Sequence, residues 1–112
     1  MRWFVSRHPG AIAWLDMQNL HIDNQVSHLD LEQIAAGDWV FGSLPVHMAA
    51  KVCAKGAFYV HLQINMPHTA RGQELSAQDL CDLGAHLVAF NVEPLSLVLT
   101  ATPAAVLDQS GH

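Results

Sequence analysis

The stretch "WVFGSLPVHMAAKVCAKGAFYVHLQIN", residues 39 to 65, most constrains what this chain can fold into. A short apolar run stops at Pro45, a helical segment follows, Gly56 ends it, and a second apolar run begins at once. Pro in the first turn and Gly just past the last turn bound a helix in the order that backbone chemistry favours. Val46, Ala49, Ala50 and Cys53 recur at helical spacing and form one predicted apolar stripe. The run 57–65 has almost no polar interruption, which fits a strand at the buried centre of a parallel sheet. Two strands joined by a helix run parallel, so the stretch predicts a strand–helix–strand unit.

The same alternation extends to both sides. "RWFVS" (2–6) reads as a strand, and Pro9 opens a helix whose apolar contacts are Ala11, Ile12, Trp14 and Leu15. Residues 18–25 are polar and read as a connection, "QVSHL" (25–29) as a second strand, and 30–38 as a short turn ending at Gly37. Ser76 and Asp79 resemble a capping box opening a third helix, although Asp replaces the usual Glu or Gln. Residues 87–100 offer one or two final strands, broken near Pro94. Together these predict a three-layer, Rossmann-like α/β fold with a mostly parallel sheet flanked by helices. One such domain is expected over residues 1–100, with 101–112 as a flexible C-terminal tail.

Composition narrows the partners. The net charge of −5, with only five Lys and Arg, excludes broad electrostatic binding to double-stranded nucleic acid. Charged residues make up 13% of the chain, against roughly 25% in typical domains. A surface so poor in charge suggests that part of it is hidden in a homo-oligomer. Cys53 and Cys81 fall in predicted helices without CxxC spacing, so buried free thiols in a reducing compartment are expected. No apolar run approaches the roughly 20 residues of a membrane span, and the start lacks a secretory leader pattern. A cytoplasmic protein with no membrane partner is the expectation.

In open α/β sheets, ligands sit outside the carboxyl ends of the strands. That rule selects three loops. The first carries Ser6, Arg7 and His8 ahead of Pro9 and Gly10; the second carries Gly42 and Ser43, with His47 in the next helical turn; the third carries Asn65, His68, Thr69, Arg71 and Gln73. Helix starts attract anions, and arginine offers paired donors to phosphate oxygens. If the three loops converge, the product is a phosphate site. Each residue also has a plainer reading. Ser6 could simply cap the helix, His47 could lie on the surface, and Arg71 could pair with Glu74. His61 fits a satisfied core histidine, His21 and His28 fit exposed positions, and the tryptophans Trp3, Trp14 and Trp39 fit a core or an interface. The histidines lack HxH or HxxxH spacing and no carboxylate cluster joins them, so no metal is expected. Neither a P-loop nor GxGxxG is present, so no cofactor is expected. Arg7-His8-Pro9-Gly10 faintly echoes the Arg-His-Gly motif of histidine phosphatases, with Pro9 interrupting it.

"SRHPGAIAW", "GSLPVHMAA" and "ARGQEL" together resemble a small CRISPR-associated family found beside type III systems, the VVA1548 type. The resemblance runs from about residue 2 to residue 93, and Ser6 and Ser43 keep the hydroxyl where Thr is as common. It implies a role with cyclic oligoadenylates, the second messengers of type III systems. The implied activity is that of a ring nuclease, which binds cyclic tetra-adenylate across a homodimer and cleaves it. A protein that binds the ring without cutting it, a sponge, is the alternative; a histidine-phosphatase-like enzyme is a more distant one.

A ring nuclease can work without metal, because a ribose 2′-hydroxyl of the ligand attacks the neighbouring phosphate and leaves a 2′,3′-cyclic phosphate. The protein must hold that geometry and stabilise the growing charge. Arg7 is the expected charge stabiliser, and His8 or His47 the expected proton-transfer group. Ser6, Gly10, Gly42 and Ser43 are expected to seat phosphate oxygens, and Arg71 and Gln73 to close over the ring.

Overall fold

A computed structural model describes residues 1–65, 72 and 74–97. Its core is a five-stranded sheet with the order β2-β1-β3-β4-β5. The strands are β1 (Arg2–Val5), β2 (Asn24–Val26), β3 (Trp39–Gly42), β4 (Phe58–Gln63) and β5 (His86–Phe90). The helices are α1 (Pro9–Asp16), α2 (Val46–Ala54) and α3 (Ala77–Asp82), and a 3-10 turn spans Leu31–Gln33. β1 pairs in parallel with β2 and β3, and β3 in parallel with β4. β5 is antiparallel to β4. The mostly parallel α/β sheet flanked by helices is therefore as expected. β4, however, has a parallel neighbour on one side only, and its first residue, Phe58, is 51% exposed.

Side-chain alternation along the strands divides the core in two. On one face Phe4, Phe41 and Val60 pack under Ala11, Trp14 and Leu15 of α1 and Leu80 of α3. On the other, Trp3, Val40 and Tyr59 pack with Ala49 and Val52 of α2 and with Ile34. Helices on both faces leave the strand ends as the open edges of the layer.

Local sequence signals set most boundaries. Pro9 occupies the first helical positions of α1. Pro45 caps α2 instead of joining it, so that helix starts one residue late. The stripe of α2 also shifts: Val46 is 73% exposed, and the buried pair is Ala49 and Val52. The first turn of α2 lies at the loop end, where Met48 rather than Val46 lines a cleft. Ser76 and Asp79 do form a capping box, with Asp79 N–H donating to Ser76 Oγ and Ser76 N–H to Asp79 Oδ2. Those bonds, the backbone one foremost, hold the Asp79 carboxyl below its ordinary 3.8.

The cysteines differ from expectation. Both are free, but Cys53 is half-buried and Cys81 exposed. The short α3 has one buried position, Leu80, and its neighbour Cys81 consequently points outward. Cys53 Sγ instead ties the chain after β5, accepting from Val92 N–H at 3.4 Å. Of the tryptophans, Trp3 and Trp14 are buried, whereas Trp39 is 38% exposed and lies 4.6 Å from the Phe58 ring, centroid to centroid. Only one final strand, β5, occurs among the described residues, and the expected tail 101–112 lies outside them.

Asp38 anchors the start of β1 to the turn before β3. Its carboxylate accepts from Ala35 N–H at 3.0 Å, the terminal ammonium of Met1 at 3.0 Å and the Trp3 indole at 3.2 Å. The Ala35 bond first, then the ammonium, hold its pKa below the ordinary 3.8.

Candidate functional site

The chain leaves β1 toward β2 on one side, and leaves β3 toward β4 on the other. The C-terminal ends of β1 and β3 thus form a topological switch point, where the loops diverge and open a crevice. A cleft of about 840 Å³ lies there, within the roughly 300–1,000 Å³ of small-molecule sites. Ser6, Arg7 and His8 enter it from β1, and Gly42 and Ser43 from β3. Two of the three expected loops are therefore brought together. Of the third, Gly72 and Glu74 line the cleft, while Asn65 is not among the lining residues; His68, Thr69, Arg71 and Gln73 lie outside the described residues.

Close backbone contact sets the shape of this crevice. At Gly42, with φ 155°, a Cβ would fall 2.8 Å from the Val5 carbonyl oxygen, so glycine lets β3 approach β1 at its end. Gly10 is buried in α1 and does not line the cleft. A Cβ there would sit 1.8 Å from the Leu75 carbonyl oxygen, so its role is to let α1 pack on the chain ahead of α3. His47 is exposed and also outside the lining, with Met48 facing the cleft in its place.

The polar groups differ in what they can offer a ligand. Arg7 is exposed in the cleft, and is the one lysine or arginine lining it among the described residues. Ser6 Oγ accepts from His8 N–H at 3.2 Å, which leaves its own proton for a ligand oxygen. Ser43 Oγ donates to the Leu62 carbonyl at 2.8 Å, so its proton is already committed. Pro9 supplies no N–H, and the α1 start is a weaker anion cradle than its position suggests. His8 Nδ1 lies 3.8 Å from Glu74 Oε1, both side chains largely exposed.

Beneath the loop after β3, Tyr59 Oη accepts from Leu44 N–H at 2.9 Å. It also lies 3.2 Å from the Gly42 carbonyl and 2.7 Å from His61 Nδ1. Burial raises the Tyr59 pKa above its ordinary 10.0, with the Leu44 bond opposing. His61 is thus a satisfied, half-buried histidine.

A fourth loop, not expected from the sequence, also reaches the cleft. Ser27 and His28 follow β2 and line the same cleft. The signal was present in the strand-end rule, but the predicted strand ran to residue 29 and absorbed both residues. The floor is apolar, with Leu44, Met48, Leu62, Ile64 and Leu75. A polar rim over an apolar floor suits a ligand with both phosphates and flat bases. No group of three or more metal-ligating side chains occurs among the described residues, and no helix there is long and apolar enough to cross a membrane.

Searches of curated proteins and of solved structures found no significant match. A family model described as "Putative CRISPR-associated protein (Cas_VVA1548)" matches residues 3–93, which run from the second residue of β1 past the end of β5 and take in every described loop of the cleft. The chain belongs to this CRISPR-associated family.

Proposed function

We propose that this protein is a ring nuclease of a type III CRISPR system, acting in the cytoplasm on a cyclic oligoadenylate, with cyclic tetra-adenylate as its first candidate. The observation that carries the reading is the switch-point cleft, where Arg7 and His8 from β1 face Ser43 from β3 over an apolar floor. Arg7 stabilises charge growing on the phosphate under attack. The Ser6 hydroxyl donates to a phosphate oxygen, and the apolar floor takes an adenine. The ring supplies its own nucleophile, a ribose 2′-hydroxyl, so the reaction needs no water and is written without metal. A ring of four nucleotides exceeds one cleft, and two protomers related by a twofold axis would each hold half. Arg71 and Gln73 are proposed to close over the ring.

A sponge is the second reading, favoured by two observations. His47 stands outside the cleft, and the Ser43 proton is spent on Leu62. Incubation of the protein with cyclic tetra-adenylate in EDTA, with products read by mass spectrometry, separates the two. Linear products ending in 2′,3′-cyclic phosphate are expected. Arg7→Ala is expected to lower both binding and turnover, each by at least 10-fold. Tight binding without turnover would establish the sponge, and cleavage lost on chelation would end the metal-free mechanism.

A further inference from the structure

Six of the eight histidines lie among the described residues and can be sorted by position. His21 is tied to Asp23 at 2.8 Å, His61 to Tyr59 at 2.7 Å, and His86 to the Gly84 carbonyl at 2.8 Å. His47 lies outside the cleft, while His8 and His28 both line it. The sheet brings their two loops to the same cleft. β1 and β2 are parallel neighbours with Val5 opposite Val26, so Ser6 and Ser27 leave the sheet side by side. Ser6 N–H donates to the Val26 carbonyl at 2.9 Å, and Gln25 Nε2 donates to the Ser6 carbonyl, which locks the two strand ends together. Among the described residues no hydrogen bond or ion pair holds the exposed His28 ring.

We infer that His28, from the loop after β2, is the second proton-transfer residue of the ring-cleavage reaction, paired with His8. The inference rests on the proposed ring-nuclease reading and extends it. Cleavage by a 2′-hydroxyl needs two proton transfers. One imidazole takes the 2′-hydroxyl proton as the O2′–P bond forms. The P–O5′ bond breaks, and a second imidazole, entering as imidazolium, gives its proton to the departing 5′-oxygen. The products are a 2′,3′-cyclic phosphate and a 5′-hydroxyl. No water is consumed, and the two histidines exchange protonation states, which solvent then resets. Histidine suits both roles because it titrates near neutral pH. The titratable and charged groups that share the cleft with His28 are Arg7 and His8 from the β1 loop and Glu74 ahead of α3. The loop after β3 contributes the neutral Ser43. On its own segment the nearest charged group is Asp30, whose carboxylate accepts from Glu32 N–H. Glu74, beside His8, is placed to face that ring when it becomes imidazolium.

The experiment compares cleavage of cyclic tetra-adenylate by wild type, His8→Ala, His28→Ala and His47→Ala, each across pH 5 to 9. Thermal unfolding of each variant checks the fold. The wild-type profile should be a bell. His28→Ala should lose about 10²-fold or more in rate together with one limb of the bell, and His8→Ala should lose the other limb. A His28→Ala rate within a few-fold of wild type overturns the inference. So does a rate loss with both limbs intact, the same limb lost in both variants, or a larger loss in His47→Ala. In each of those cases the ring-nuclease reading stands, because the wild type still cleaves. Absence of cleavage by the wild type overturns that reading, and this inference falls with it.

Discussion

The Tyr59 hydroxyl has one hydrogen to give and two lone pairs to receive, yet three polar partners surround it. Leu44 N–H donates to it, and its own hydrogen goes to the Gly42 carbonyl when His61 Nδ1 carries a proton, or to Nδ1 when it does not. A single side chain thereby fixes the turn that carries Gly42 and Ser43 into the cleft. Tyr59→Phe leaves Leu44 N–H without its acceptor and removes the contact to His61, and is expected to cost about 1–3 kcal/mol in urea unfolding. The pH sign follows from the raised pKa. The folded state keeps the proton to higher pH than the unfolded state does. The contribution is therefore full below the ordinary 10.0 and lost as pH climbs through the folded value. Tyr59 is the only tyrosine in the chain, so absorbance at the tyrosinate band reports it directly. Its midpoint should lie above 10.0 in folded protein and return to the ordinary value in urea. None of this network was legible in the sequence beyond the reading of His61 as a satisfied histidine. Residues 44 and 59 meet only after β3 and β4 have paired.

At the scale of elements, α1 shows how a loop residue and a packing residue can be neighbours. Arg7 and His8 precede the helix and enter the cleft, while Gly10, inside it, touches the Leu75 backbone. Alanine would ordinarily favour a helix over glycine by about 1 kcal/mol. Here its Cβ would collide with backbone, which no rotamer change relieves, and α1 would have to lift away. Gly10→Ala is expected to destabilise the fold by a net of about 1–3 kcal/mol, read as a lower urea midpoint, and, on the proposed function, to weaken ring binding because Arg7 moves with the helix start. A midpoint at or above wild type would show that α1 has room to adjust. The existence of α1, α2 and α3 was legible because Pro9, Pro45, Gly56 and the Ser76–Asp79 box act within one turn of themselves. Which helix face is buried was less so. Val46 and Ala49 share a stripe in the pattern, but the sheet beneath α2 covers one and not the other.

For the whole molecule, exposed aromatic area and scarce charge point the same way. Trp39 and Phe58, paired in register on β3 and β4, are both more than a third exposed and share one face of the sheet, while Phe90, also more than a third exposed, pairs with Tyr59 on the other face. On the proposed function, the exposed Trp39–Phe58 pair and the low charge would suit the contact between two protomers. Light scattering is expected to return twice the 12.2 kDa of one chain, with and without cyclic tetra-adenylate. A monomer under both conditions would remove the half-ring arrangement and leave one cleft to act on a smaller part of the ligand.

The sequence by itself determined the elements and the strand-end position of Ser6, Arg7 and His8, because strand alternation, helix caps and Pro or Gly punctuation depend on neighbours a few residues away. It also determined the small number of cations, and with it the expectation of a few local groups in place of a basic surface. Only the tertiary structure decided which loops meet. The order β2-β1-β3-β4-β5 placed the crevice between β1 and β3. The early end of β2 at Val26 released His28 into it, and the phase of α2 turned Met48 inward and left His47 out. Strand register and helix phase are settled by pairings across tens of residues, and no local pattern records them.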